Sequence, residues 1–392
     1  MPRRAIVAGA GIGGLSSALA LSQAGFKVTV YERAKALEEF GAGVQLTPNA
    51  TRILSRLGAL ESVRRLAMPP TRVCVLSGQD GVILASMDLS DADRRWGAPY
   101  LALHRADLQA ALAGIVNHDP NTGLVLGAGV TGVRDEPDQV SVSINGDASA
   151  SDRADLLVGA DGLRSRFRRV LEPKEAAIAF TGRMAFRATI DSALLEPGWS
   201  QPEITICLGP NAHLVCYPLR SRSIVNIVAV TESQSHSAFD EVPWDGAASL
   251  GDLEFAFARW SAPIRRLLAA AGQWRAWPLF ARPPLRSFHK GRVALVGDAA
   301  HPMVPFLAQG AAQAIEDAGA LGRALSKAKD VRSGLADYSQ KRVARATRVQ
   351  IEAQRQGRIY HLSGPLALAR NAALRILGGS GLRARYDWLY GA

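Results

Sequence analysis

Cysteine is scarce: Cys74, Cys207 and Cys216 are the only three in 392 residues. None forms a C-x-x-C pair or stands at metal-ligand spacing, so no thiolate metal site is expected and a reducing cytoplasm suits the chain. Long apolar runs are missing too. No window of about 18 continuous apolar residues occurs, which excludes a helical membrane span. Aromatic residues make up only 6%, without an aromatic-rich RNA motif or zinc-finger spacing. The net charge of +11 therefore does not point to nucleic acid, and its scattered Arg and Lys suit an enzyme with anionic ligands. There is no internal repeat, low-complexity tract or long linker. Arg3-Arg4 and the apolar residues up to Ala24 have the outline of a secretory leader. Glycines at 9, 11, 13 and 14 would break its apolar helix and argue against one. At roughly 150 residues per domain, two domains are expected.

What is present begins at once. Ala5-Ile6-Val7-Ala8 reads as a short buried strand, Gly9-Ala10-Gly11-Ile12-Gly13-Gly14 as a turn, and Leu15 to Ala24 as a helix capped by Gly25. Lys27 to Tyr31 is a second strand ending at Glu32. A β-α-β unit with G-x-G-x-x-G at its first turn and an acid about twenty residues on is a dinucleotide site. Gly9 permits the turn, Gly11 lets amides approach a pyrophosphate, and Gly14 lets the helix pack on the strand. Glu32 would accept the adenosine ribose hydroxyls, with Arg33 beside it. The motif leaves NAD and FAD both open.

Two later stretches choose between them. Asp155 to Gly162, "DLLVGADG", is another buried strand that ends in Ala-Asp-Gly, with Ser165 and Arg166 shortly after. "VGDAAHPMVPFLAQGAAQAIEDA", residues 296–318, places an acid, a His-Pro pair, a second proline and an Ala-rich helix after a strand at 292–296. A plain nicotinamide dehydrogenase needs neither, whereas a flavin extends beyond its pyrophosphate and needs further contacts. A helix starting near Gly310-Ala311 would aim its amides at the flavin N1 and C2 carbonyl, where the reduced ring is negative.

These three motifs, in this order, resemble the single-component FAD-dependent aromatic hydroxylases, the class A flavoprotein monooxygenases, over about residues 1 to 345. The resemblance implies an α/β fold: a Rossmann-like FAD-binding domain of the GxGxxG type, an antiparallel-sheet substrate domain and C-terminal helices. It implies that Asp298 binds the ribityl hydroxyls, that Arg105 of "HRADL" contacts the flavin, and that Asp161, in the dual FAD and NAD(P)H motif, is mainly architectural. NADH or NADPH would serve as transient co-substrate, and oxygen would reach the ring through a flavin C4a-hydroperoxide. Asp298 as a helix cap, Arg105 as a surface ion-pair partner and Glu316-Asp317 as a solvated helix face remain open readings.

Alternating runs without long helices fill about 180–277, including "GRMAFRATI", "EITICLG", "HLVCYPL" and "SIVNIVAV", as expected of an antiparallel sheet. The FAD-binding domain is expected over 1–73, 98–179 and 278–350, the substrate sheet over 74–97 and 180–277, and a helical segment over 351–392. By the period of two, His213, Val215 and Tyr217 share one strand face, with His213 and Tyr217 about 13 Å apart. Such a His and Tyr look like the substrate-contacting pair of the family members that act on 3-hydroxybenzoate and 6-hydroxynicotinate. His213 is the expected ring-oxygen base, Tyr217 its relay or orienting partner, and His301 a group that positions substrate or oxygen. Pro305-Phe306-Leu307 would wall the ring, and Arg187 or Arg183 would meet a carboxylate. Gln45, in "GAGVQLTPN", stands where the 6-hydroxynicotinate enzyme carries a histidine, a departure at a substrate position. The C-terminal segment, with Leu366, Leu368, Ile376 and Leu377, should pack on the body or on a partner subunit in a homodimer. The expected reaction is hydroxylation of a small phenolic or hydroxypyridine carboxylic acid. Alternatives are a monooxygenase for a larger polyketide, antibiotic or quinone precursor, and a non-catalytic flavin-binding regulator.

Overall fold

The computed structural model of the chain describes residues 2–37, 43–174, 177–233 and 246–391. The strand Arg3–Ala8 lies inside a six-stranded sheet, parallel to Phe26–Glu32 on one side and to Leu156–Gly159 on the other. Val293–Leu295 and Thr122–Leu126 extend it in the same direction, and His289–Lys290 closes one edge antiparallel. Ala5 to Ala8 are all buried, as a parallel strand covered on both faces requires. The helices Ile12–Gln23 and Gly310–Lys327 pack together closely, because a Cβ on Gly322 would lie 2.8 Å from the Ala20 carbonyl oxygen. The carboxyl ends of these parallel strands open on one crevice, and the glycine loop, Glu32, Asp161 and Asp298 each follow one of those ends.

Eight strands form the second sheet, in spatial order 246–248, 274–281, 179–191, 224–232, 212–219, 203–209, 72–77 and 83–88. Its ladders are antiparallel except that Arg72–Ser77 runs parallel to Glu203–Gly209. The chain enters this sheet twice, first as the hairpin of 72–88 and again from 179, so the strands that meet at the seam are not hairpin partners. A separate antiparallel sheet of three strands spans 130–154.

Strand Ala212–Leu219 shows both faces of the large sheet. Leu214 and Cys216 join an apolar cluster with Leu253, Phe257 and Leu267 of the covering helices. Tyr217 and Val215 face the opposite way, toward Tyr100, Leu389 and Tyr390. The helix Val331–Tyr360 runs for 30 residues, and Gly364–Tyr390 follows for 27, interrupted at Gly378 by a φ of +59°. Past that kink the last helix docks on strand Ile83–Asp88, where a Cβ on Gly379 would lie 2.1 Å from the Ser86 carbonyl oxygen. Before it, Leu366, Leu368 and Ile376 are exposed, so the apolar stripe is divided between core and surface. Among the described residues no helix is long and apolar enough to cross a membrane.

Candidate active site

The crevice is built from backbone first. Gly9, with φ +113°, has no room for a side chain, since a Cβ would lie 2.5 Å from the Ala160 carbonyl oxygen. A Cβ on Gly14 would fall 1.9 Å from the Gly9 carbonyl oxygen, so this glycine allows the helix to touch its own turn. Gly11 differs: a Cβ there would meet nothing within 4 Å, and it caps the helix Ile12–Gln23 without a side-chain bond. The turn thus offers helix amides to open space. Glu32 accepts from the Ala10 and Ala34 amides at 2.8 and 2.9 Å, which fixes its carboxylate at the strand end and leaves lone pairs for hydroxyl donors. Arg33 follows in the adjoining bend, its Cβ close to Gly129.

Asp161 accepts from the Arg166 amide at 2.7 Å through Oδ2, while its Oδ1 is buried without a partner among the described residues. Burial raises its carboxyl above the ordinary range, with hydrogen bonds from Ser165 and backbone amides opposing. Arg168, seven residues on, donates to the Ala300 and Pro283 carbonyl oxygens at 2.9 Å each and ties this segment to the loop after Asp298. Asp298 is exposed on the crevice in a 3-10 turn, Gly297–Ala299, and does not cap the later helix. Surrounding protein raises its carboxyl, and Arg105 and His301 act in the opposite sense. Arg105, exposed at the start of its helix, therefore lies within Coulombic reach of Asp298.

Helix Gly310–Lys327 starts with no side-chain cap, and a Cβ on Gly310 would meet nothing within 4 Å. Ala308, just before it, takes φ +52°, a left-handed backbone that costs a residue with a Cβ about 1 kcal/mol. Gln309 holds this entry through Thr47 at 2.9 Å and Asn49 at 3.1 Å. Ala311 is half-buried in the first turn, and Pro305 opens the preceding 3-10 turn.

Gln45 and Tyr217 meet where the crevice joins the large sheet. Tyr100 donates to Gln45 Oε1 at 2.7 Å, and Gln45 helps lower the Tyr217 phenol against the effect of burial. Burial keeps the Tyr217 phenol neutral, with nearby Arg187 pulling the other way. The Arg187 guanidinium lies 4.4 Å from the Trp277 ring centre. Only glycine fits at 43, since a Cβ would be 2.5 Å from the Tyr217 ring, and its amide donates to Asn226 Oδ1 at 2.8 Å. Asn226 is buried directly across the ladder from Tyr217, and its Nδ2 has no partner among the described residues. Gly41 and Ala42, in the same sequence stretch, lie outside the described residues.

His213 shares the strand but has other neighbours. Its Nδ1 is 2.8 Å from His361 Nε2, and its ring lies 5.4 Å from Phe306 and 5.0 Å from Tyr360. Burial, then His361 and Arg183, hold its imidazole well below the usual histidine value. Phe306 packs on His213, on His361 at 6.2 Å and under the Arg183 guanidinium at 5.5 Å. Of the expected apolar wall, this ring is buried between sheet and helix.

His301 turns inward. Its Nε2 is 2.5 Å from Asp317 Oδ2, so a ligand could reach only Nδ1, which is buried without a partner among the described residues. Glu316 and Asp317 are no solvated face. Arg342 donates to both at 2.6 and 2.7 Å, Arg345 to Glu316 at 2.6 Å, and Asn49 to Glu316 at 2.6 Å. Burial alone would raise both carboxyls, but these cations and His301 hold them below the ordinary range.

Sequence reasoning missed Arg342, Arg345, His361, Tyr100, Asn226 and Arg168. The first two sit in a charged helical run that reads as a solvent face, and His361 follows a helix end without any motif. Adjacent acids in an otherwise Ala-rich helix are the one local signal that buried cations should be sought.

A sequence profile described as the FAD binding domain matches residues 3–353. The chain is 35% identical to 3-amino-4-hydroxybenzoate 2-monooxygenase of Streptomyces platensis, covering 100% of this chain and 96% of that protein. It is 33% identical to 3-hydroxybenzoate 6-hydroxylase of Polaromonas naphthalenivorans, covering 98% and 95%. Among solved structures, Klebsiella pneumoniae HpxO complexed with FAD and uric acid superposes with a TM-score of 0.86 at 27% identity, covering 98% and 95%. The uncapped helix entry at Gly11, the clear approach at Gly310 and the unpartnered Asp161 oxygen fit the FAD that the matched profile describes. The chain belongs to the single-component FAD-dependent aromatic hydroxylases, monooxygenases that use NAD(P)H and oxygen on small aromatic compounds.

Proposed function

We propose that this enzyme hydroxylates a small phenolic or hydroxypyridine carboxylic acid held between the crevice and the strand Ala212–Leu219. The observation that carries the reading is the close approach of Gly43 to the Tyr217 ring beside the Tyr100–Gln45 hydrogen bond, where the crevice meets the large sheet. FAD, when bound, supplies electrons taken from NADH or NADPH and delivers one oxygen atom of O2 to the ring.

The helix amides after Gly11 would hold the pyrophosphate, Glu32 and Arg33 the adenosine end, and Asp298 the ribityl chain with Arg105 beside it. The amides of Gly310 and Ala311 would face the negative edge of the reduced ring. Asp161 shapes its loop through the Arg166 amide.

Tyr217 and Gln45 orient the ring, Arg187 attracts its carboxylate, and Pro305 bounds the entrance. His213 takes the proton of the ring hydroxyl, which at an unperturbed pKa near 10, with tyrosine as guide, is not lost unaided at neutral pH. His301 offers only Nδ1 toward ligand, and we assign its main role to the inward contact with Asp317. The burial of Tyr217, Asn226 and His213 keeps water from the reacting groups.

The test is NADH and NADPH oxidation by the purified yellow protein with salicylate, 3- and 4-hydroxybenzoate, 3-amino-4-hydroxybenzoate, gentisate and 6-hydroxynicotinate, scoring peroxide and product together. A compound that stimulates oxidation and leaves as hydroxylated product with little peroxide meets the expectation. Stimulation by none of them would move the reading to larger substrates.

A further inference from the structure

Removal of a ring proton by His213 raises a difficulty that the structure answers. The imidazole is 2% exposed, and burial, His361 and Arg183 all disfavour its cation. A histidine in such surroundings cannot keep a proton it has taken; it must pass it on.

His361 stands at the C-terminal cap of helix Val331–Tyr360, with Nε2 2.8 Å from His213 Nδ1. On its other side Nδ1, buried and without a hydrogen bond among the described residues, lies 3.5 Å from Glu232 Oε1, an ion-pair distance that a small side-chain turn would close, and the Glu232 side chain is 47% exposed. The turn at Asn211 holds the three together: its amide donates to the His361 carbonyl oxygen at 3.3 Å, and its carbonyl oxygen accepts from the Glu232 amide at 3.1 Å. Two neighbouring strands and one helix end 148 positions from His213 thus form one line from a closed interior to water.

The line also has a direction. An ionised carboxylate only accepts, so Glu232 favours a proton on His361 Nδ1 and leaves His361 Nε2 as acceptor. His213 must then carry its proton on Nδ1, and its Nε2 is the bare, basic nitrogen. The surface carboxylate sets the tautomer of a buried ring two residues inward. We propose that His361 is a positioning residue for His213, fixing its basic tautomer and handing its proton through Glu232 to solvent.

The transfer balances without oxidation or reduction. The substrate O–H breaks as an N–H forms on His213 Nε2. His213 Nδ1–H breaks as a proton joins His361 Nε2, and His361 Nδ1–H breaks as one joins Glu232, which releases it to water. Neither imidazole need hold a lasting charge. The other charged or titratable groups facing the pair are Arg183, which is 3.6 Å from Glu232 and competes for its carboxylate, Arg370 and the Tyr360 phenol.

This inference rests on His213 as the base, and the experiment separates the two. The FAD-loaded wild type, His213→Gln, His361→Gln, Glu232→Gln and Glu232→Asp proteins are compared with whichever aromatic the wild type hydroxylates. Melting temperature and flavin content are recorded alongside kcat, KM, the pH profile and the solvent deuterium isotope effect. Since a positioned base is worth about a hundredfold or more, Glu232→Gln should lower kcat by roughly threefold to tenfold, with KM and flavin content kept. It should also move the pH profile and change the isotope effect, and Glu232→Asp should restore both. His361→Gln should be slower still; if it fails to fold, the Glu232 pair decides alone. A slow His213→Gln beside Glu232→Gln and His361→Gln proteins with wild-type kcat, profile and isotope effect overturns the relay and leaves the base standing. A His213→Gln protein as fast as wild type overturns the base reading, and the relay with it.

Discussion

Arg342 donates Nε to Asp317 at 2.7 Å and Nη1 to Glu316 at 2.6 Å, so one buried guanidinium neutralises two adjacent buried carboxylates. Through Asp317 the same group reaches His301 and the Gly297 amide, at 2.5 and 2.8 Å, at the foot of the loop that carries Asp298. The loop and the helix entry at Gly310 are therefore anchored by charges wholly inside the protein.

Arg342→Met removes the shared cation and leaves Glu316 to Arg345 and Asn49, and Asp317 to His301 and the Gly297 amide. The expected loss is about 3–5 kcal/mol, read by denaturant unfolding, with flavin lost before global unfolding. Arg342→Lys, with charge but no planar fork, should fall between. A methionine variant as stable as wild type would mean that the network contributes no net stability.

Two of the motif glycines should separate by mechanism. Gly11→Ala, with nothing within 4 Å of the new Cβ, should keep the melting temperature of the flavin-free protein and weaken FAD binding. Gly14→Ala forces a Cβ to 1.9 Å from a backbone oxygen and should destabilise the protein with or without flavin. Differential scanning fluorimetry on stripped and reloaded protein distinguishes them; equal damage in both variants would argue against ligand approach as the reason for Gly11.

Gly43→Ala pushes against the Tyr217 ring, 2.5 Å from the new Cβ, while the Gly43 amide remains held by Asn226. The expected result is a higher KM for the aromatic and more peroxide per NADH consumed, with normal flavin content. Unchanged coupling would show that Tyr217 does not order the substrate.

Histidine burial predicts a pH dependence of stability. Burial first, then Arg183 and Arg370, bring His361 down to about 3, and His213 is also depressed. The unfolded chain takes up protons near pH 6.5 that the folded chain refuses, so stability is full above about that value and falls as pH drops toward the folded values. Melting temperature should decline between about pH 7 and pH 5, and His361→Gln should flatten that decline. A wild-type melting temperature constant over that interval would contradict neutral, buried imidazoles.

The sequence by itself determined the β-α-β start, the glycine turn, Glu32, and the strand ends that lead to Asp161 and Asp298. These follow from local rules: where the backbone must turn tightly and where a strand must be apolar on both faces, only a few residue types serve. The alternation that set Leu214 and Cys216 on one strand face and Val215 and Tyr217 on the other was legible for the same reason. Tertiary structure alone decided what each side chain meets. His361 reaches His213 across 148 positions, Arg342 reaches Asp317 across 25, and Asn226 reaches Gly43 across 183. No local periodicity records such pairings, because the free energy that selects them, the cost of a buried charge or polar atom without a partner, exists only once the fold has excluded water.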